Sequence, residues 1–301
     1  MNDRRHFLKT SLAGAGLLVG APRLTLGLEA AAPRLKAGTD LVSFGRTGVK
    51  TSFLAFGTGM NGGNRSSDLT RLGQAEFTRI LRHGLDLGVR FLDGADLYGT
   101  HPFIREAVKG VPRERYGLLT KIWPHKEDWV TPSGGAKAEV DRFRRELGSE
   151  TLDVCLIHCM QNGRWPEEFA RVRDELSKLK DEGAVRAVGV SCHDHAALKR
   201  AAELPWVDVI LARINHKGGE KYMCDDTAES VAATLRRARA NGKTVVGMKI
   251  FGAGTLTKPD ERQASLRYVL GNGLVDAITI GTTAPGQFDE NLKMIAAALA
   301  A

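Results

Sequence analysis

Short apolar runs and helical stripes alternate along most of this chain. The runs read FLAF from residue 53, VRFLDG from 89, YGLLTK from 116 and LDVCLIH from 152, then VRAVGVS from 185, VDVILA from 207, TVVGMKI from 244 and VDAITIG from 275. Most are continuous in hydrophobicity rather than alternating, the pattern of strands covered on both faces, as in a parallel sheet. Between them apolar residues return every three or four positions. Phe77, Ile80, Leu81 and Leu85 form one stripe, Val140, Phe143 and Leu147 another, and Phe169, Val172, Leu176 and Leu179 a third. Gly183 and Gly242 stand where helices should stop. Eight such units predict one (β/α)8 TIM barrel, an α/β fold whose usual size is about 250 residues. The alternative is a doubly wound open sheet. Against it, the first run is followed by GTGMNGGNRSSD, rich in glycine but without the G-x-G-x-x-G that opens a dinucleotide-binding helix. No break in composition suggests a second domain.

The ends of the runs carry the chemistry. Barrel active sites form at the C-terminal ends of the strands. There the second run places Asp93, with Tyr98 a few residues on in VRFLDGADLYGTH. The third ends at Lys121 and the fourth at His158. Each alone has a bland reading: a helix-capping acid, a snorkelling lysine, a structural histidine. A carboxylate, a phenol, an ammonium and an imidazole at three successive strand ends point instead to one reactive rim. Asp96 finds no place in that set and reads as a loop hydrogen-bonder.

With these segments in order and spacing, GVRFLDGADLYG, LLTK, LDVCLIH and GAVRAVGVS, the chain resembles the aldo-keto reductase family over residues 41 to 299. The resemblance implies hydride transfer between NADP or NAD and an aldehyde, ketone or sugar-like carbonyl. It makes Tyr98 the proton donor, Lys121 the group that tunes it, Asp93 the counter-charge that holds Lys121, and His158 the group that orients the carbonyl. The types suit the task, because a phenol of ordinary pKa about 10 is a poor acid and a neighbouring ammonium favours its ionised form.

The cofactor side follows the family less closely. The resemblance implies Thr58 at the first run, Ser191 and Cys192 after the fifth, and Gly281, Thr282, Gln287 and Asn291 in IGTTAPGQFDENL. Yet Cys192 stands where the family has Asn, Leu211 where it has Gln, and Ile214 where an aromatic ring is expected. A helix starting near Pro285 would offer free N–H groups to an anion, but no Arg or Lys stands beside it to grip a 2′-phosphate. Lys249 in GMKIFGAG reads equally as a pyrophosphate contact or as a solvated lysine. Two readings therefore stand beside the reductase: a ligand-binding or regulatory barrel without turnover, and an exported redox partner using a non-nicotinamide cofactor.

Composition excludes other classes. Net charge is +8 from 43 basic and 35 acidic residues, and the basic residues are scattered with few aromatics among them, so a nucleic-acid footprint is not supported. Cys155, Cys159, Cys192 and Cys224 have no metal-ligand or disulfide-framework spacing and read as small buried hydrophobes, with Cys155 and Cys159 on one face. No metal site is expected. The N-terminus NDRRHFLK, the apolar run of residues 10–20 and the small residues of EAAAP resemble a twin-arginine export signal, too short to span a bilayer. Cleavage after Ala32 would leave residues 33–301 as the barrel, exported by that machinery to a periplasmic location.

Overall fold

Each of the eight apolar runs becomes a parallel strand in a computed structural model, which describes residues 35–125 and 135–301. An antiparallel hairpin comes first, β1 (Leu41–Ser43) and β2 (Lys50–Ser52). The barrel strands are β3 (Leu54–Gly57), β4 (Phe91–Asp93), β5 (Gly117–Ile122), β6 (Leu152–Met160), β7 (Val185–Cys192), β8 (Val209–Arg213), β9 (Thr244–Met248) and β10 (Ala277–Gly281). They close in chain order, with β10 returning to β3 through the pairs Ile278–Leu54 and Gly281–Gly57.

Helices follow the strands: α1 (Asp68–Arg71) and α2 (Gln74–Asp86) after β3, α3 (His101–Ala107) after β4, and α4 (Ala136–Leu147) after β5. The sequence continues with α5 (Trp165–Glu168) and α6 (Ala170–Asp181), α7 (His195–Glu203), α8 (Ala228–Ala240), α9 (Pro259–Gly271) and α10 (Pro285–Leu299). All three stripes read from the sequence fall on helices, α2, α4 and α6, except that Phe169 is the residue before α6. Gly183 and Gly242 take positive φ, +77° and +76°, just beyond α6 and α8. The chain from Leu35 to Ala301 is one compact unit. The expected signal and its cleavage point lie within residues 1–34, outside the described residues.

Period-2 alternation sorts the strand residues between two cores. Ala55, Phe91, Leu119, Val154, Leu156, Leu211, Val246 and Met248 belong to the cluster that fills the barrel. Cys155, Ile157, Val188, Val190, Cys192 and Ile214 belong to the layer beneath the helices. The hairpin was not foreseen. Its turn carries Phe44 and Val49 into the barrel cluster, and Phe44 meets Phe91 edge-on with ring centroids 5.4 Å apart. The N-terminal end of the barrel is plugged by this turn, so the C-terminal end is the open one.

Candidate active site

Asp93, Lys121, Tyr98 and His158 come together at the open end. Asp93 is the last residue of β4, and Lys121 lies one strand over in β5 with 0% of its surface exposed. Burying either charge alone would be costly. Here the Lys121 ammonium donates to the Asp93 carboxylate and, at 2.8 Å, to the Gly94 carbonyl. The Thr279 hydroxyl of β10 donates to the other Asp93 oxygen at 2.8 Å. The acid at the end of an apolar strand is therefore paired on one side and hydrogen-bonded on the other.

Tyr98 ends a 3₁₀ turn, Asp96–Tyr98. Its hydroxyl lies 3.3 Å from His158 Nε2, and Lys121 Nζ sits over its ring, 5.0 Å from the centroid. The loop after β3 lies so close that a Cβ on Gly59 or Gly62 would fall 2.3 or 2.5 Å from ring carbons of Tyr98. Only residues without a side chain allow that approach. Burial pushes the phenol pKa above its ordinary value of 10, and the Asp93 charge adds to the rise. The net shift is thus upward, opposite to the lowering expected from Lys121. His158 is held neutral, its pKa driven well down by burial and then by Lys121, and its Nδ1 is buried with no partner among the described residues.

Behind the 3₁₀ turn stands an ionic network that holds it. Asp96 accepts from Arg142 Nη1 at 2.9 Å, as the loop hydrogen-bonding role anticipated. Arg142 also binds Glu139 and, at 2.9 Å, Glu146. Glu146 in turn holds His101 Nδ1 at 2.9 Å, and His101 Nε2 reaches the Thr120 hydroxyl at 2.7 Å, next to Lys121.

Trp123, His125 and His193 also join the mouth and were not picked out from the sequence. Trp123 and His125 follow β5 directly, with rings 4.8 Å apart, and Trp123 meets the His158 ring at 5.2 Å. Near the end of β6 the pairing shifts between Ile157 and Met160, and Cys159 adopts φ +65°. That irregularity turns the Cys159 thiol to 3.2 Å from His193 Nδ1, while Cys155 stays under the helices. The two cysteines therefore do not share a face. All four cysteines are free and buried. The His193 pKa is pushed down to about 3 by burial, then by Arg213 and Lys249. Arg213 is neutralised by Asp225, whereas Lys249, partly buried and with φ +57°, has no side-chain partner among the described residues.

The expected cofactor residues divide. Thr58 is fully buried and its hydroxyl donates to the Asp93 carbonyl at 2.8 Å, so it braces β4 rather than facing a ligand. Ser191 points inward and accepts from the Cys159 amide at 2.8 Å. Cys192 is 0% exposed in the layer beneath the helices, where it reaches no ligand at the mouth; alternation along β7 gives that place to His193. Ile214 is likewise turned outward, and Met248 of β9 is the apolar residue at the top of the barrel. On β10 and α10, Gly281 lies under Met60, whose Sδ would be 2.4 Å from a Cβ there. Thr282 keeps a buried hydroxyl with no partner among the described residues, and Asn291 is buried in the second turn of α10. Gln287 bends back to accept from the Thr283 amide at 2.7 Å.

The aldo/keto reductase family matches residues 54–268, which span β3 to α9 and hold all four rim residues. The chain belongs to the aldo/keto reductase family. Among similar proteins, L-galactose dehydrogenase of Arabidopsis thaliana is 22% identical over 292 residues, 85% of this chain and 88% of that one. A 9,11-endoperoxide prostaglandin H2 reductase of Trypanosoma cruzi is 32% identical over 121 residues, and the match spans only 39% of its length. Among solved structures, an aldo-keto reductase from Klebsiella pneumoniae in complex with NADPH superposes with TM-score 0.63 and 19% identity, covering 86% of this chain and 89% of that one. The holo form of an aldo-keto reductase from Bacillus halodurans gives TM-score 0.65 at 20% identity, covering 85% and 90%. These structural likenesses establish the barrel.

Proposed function

We propose that this aldo/keto reductase is an NAD(P)-dependent oxidoreductase acting on an aldehyde, ketone or sugar-like carbonyl, with Tyr98 as its proton donor. The observation that carries the reading is the convergence of Tyr98, His158 and the Lys121–Asp93 pair on one point of the open rim, with the phenol 3.3 Å from a neutral imidazole. The cofactor fits on the β10–α10 side. There the orphaned Thr282 hydroxyl and Asn291 stand beside the N-terminus of a 15-residue helix, whose unpaired N–H groups suit a phosphate. Thr282, Asn291 and the α10 N-terminus would hold it, with Ser191 on the opposite strand. When bound it supplies the hydride.

In this reading the chain's own residues handle the oxygen. Tyr98 gives its hydroxyl proton to the carbonyl oxygen as the carbon is reduced. Neutral His158 directs Nε2 at the same oxygen and orients it. Lys121, fixed by Asp93, places its ammonium beneath the Tyr98 ring. General acid catalysis of this kind contributes roughly 10²–10⁴-fold. Tyr98→Phe tests it: kcat/KM is expected to fall within that range while NADPH titrates the protein unchanged in tryptophan fluorescence. Undiminished turnover would remove Tyr98 from its role.

A ligand-binding barrel without turnover is the second reading, favoured by the apolar Leu211 and the withdrawn Cys192. Tight ligand binding with no reaction over a broad carbonyl panel would favour it, and a visible absorption band in purified protein would favour a non-nicotinamide redox cofactor instead. We also propose that residues 1–32 direct export by the twin-arginine route to the periplasm. Among the described residues no helix is long and apolar enough to cross a membrane. N-terminal sequencing of the envelope fraction should begin at Pro33, and Arg4→Lys with Arg5→Lys should retain the precursor inside the cell.

A further inference from the structure

We propose that the closed end of the barrel carries a second binding site, for a phosphate group. A cavity of about 190 Å³ opens there between the end of α2, the lead into β4 and the segment that runs from α3 to β5. Its walls bring together three guanidinium groups, Arg82, Arg90 and Arg115, with a single carboxylate, Asp86, and an apolar side formed by Leu85 and Val111. Arg82, Leu85 and Asp86 end α2 and the other lining residues sit in αβ connections, at the N-terminal ends of the strands. The cavity therefore lies at the opposite end of the barrel from Asp93, Tyr98, Lys121 and His158.

Several arginines of this protein are matched with acids, Arg79 with Glu76, Arg113 with Asp153, Arg239 with Asp276 and Arg262 with Glu290. In the cavity, Arg82 donates to the Lys109 carbonyl, while the Arg90 and Arg115 guanidiniums have no partner among the described residues. The three come from different elements, a helix, a strand lead-in and the 3₁₀ turn Arg113–Arg115, so helical periodicity does not explain their meeting.

Arg90 is also fixed in place. Its amide donates to the Ser52 hydroxyl at 2.7 Å, and its carbonyl accepts from the Thr51 hydroxyl at 3.0 Å and the Gly117 amide at 2.7 Å. A planar donor fork on a held backbone is suited to bidentate recognition of phosphate oxygens. Three cations around one volume, opposed by one acid, leave an excess positive charge that a dianion would neutralise. With the Leu85 and Val111 wall, the cavity also suits a short organic group beyond the phosphate.

The test is calorimetric titration of the full protein in chloride buffer at fixed ionic strength, with inorganic phosphate and with glycerol 3-phosphate as probes. The comparison set is Arg90→Gln, Arg115→Gln and, as a control at the barrel mouth, Lys249→Met. Phosphate binding at the closed end is expected, weakened at least tenfold by either arginine substitution and unchanged in Lys249→Met. Carbonyl turnover should be unaltered in both arginine variants. Tighter binding of the ester than of phosphate would identify a phosphomonoester as the occupant, and equal binding the free ion. Absence of phosphate heat above chloride, binding lost in Lys249→Met alone, or equal affinity in wild type and both arginine variants would overturn the proposal. Arg115 is exposed on a surface turn, so its variant remains informative if Arg90→Gln fails to fold.

Discussion

Replacing Lys121 with methionine is expected to make this protein close to unfolding at growth temperature. The substitution keeps the side chain's length and removes its charge. It leaves the Asp93 carboxylate, 6% exposed, with the Thr279 hydroxyl and no counter-ion. Breaking a buried ion pair by deleting one partner costs about 3–5 kcal/mol, against a total stability on the order of 5–15 kcal/mol. Asp93→Asn should cost a comparable amount, because it leaves the fully buried ammonium with neutral acceptors only, the new amide oxygen and the Gly94 carbonyl. The two losses are not independent. In the double variant no charge remains uncompensated, so its cost should fall short of the sum by about 1–3 kcal/mol. Urea unfolding followed by tryptophan fluorescence reads this directly, since Trp165 is buried and packs 6.2 Å from Trp206. With a slope of about 3 kcal/mol/M, each single variant should lower the midpoint by about 1 M or more. Single variants that lose less than about 1 kcal/mol, or a double variant equal to the sum, would refute the reasoning. Activity adds a second readout: the double variant should recover stability without recovering turnover, because the cation beneath the Tyr98 ring is absent.

Stability should also fall as pH drops below about 6.5. His193 is pushed down to about 3 and His158 is held well below its ordinary value, so the unfolded chain takes up protons there that the folded chain does not. Each such histidine contributes stability present above about pH 6.5 and lost at about 1.4 kcal/mol per unit below it. Urea midpoints at pH 7, 6 and 5 should decline, and His193→Gln should flatten the decline; a flat wild-type profile contradicts the burial argument. Gly62→Ala should displace the Tyr98 ring and lower kcat at least tenfold with little change in melting temperature, and wild-type kcat would show that the loop yields instead. Arg142→Met leaves the buried Glu139 without its cation, and Asp96 and Glu146 with Arg65 alone, and should cost about 3–5 kcal/mol, measurable as a midpoint shift, with Arg142→Lys recovering only part of it.

The barrel was legible because its strands are buried on both faces and so appear as unbroken apolar runs, and because Gly183 and Gly242 mark helix ends by a backbone conformation that other residues resist. The rim acids and bases were legible for a related reason, since an Asp or Lys beside such a run needs a partner from another run. The hairpin escaped because LVS and KTS are three-residue strands, one of them largely exposed, with no continuous apolar signal. Cys192 was matched to a ligand-facing position because it follows Ser191 directly, and Ile214 because of its place in the family pattern, yet both lie beneath the helices. Strand alternation puts Ser191 with His193, and Leu211 with Arg213, and turns the intervening residues away. Applied along β7, it would have found His193. The Cys159 turn was beyond reach, because a bulge at positive φ in a non-glycine residue leaves no mark in the sequence.

The mouth that results differs electrically from the one the rim residues alone suggest. Lys121 is spent on Asp93 and Arg213 on Asp225, while burial holds His158 and His193 neutral. Of the cations at the mouth, Lys249 is the one with no side-chain partner among the described residues, and burial next to Arg213 already disfavours its charge. A group that brings a negative charge to this spot would pair with Lys249 and relieve that penalty. Ser191, inward on β7, and Met248, at the end of β9, offer no competing charge there. With the apolar Leu211 and Met248 on that side of the opening, the unpaired Lys249 is the group left to orient an anionic ligand there by charge.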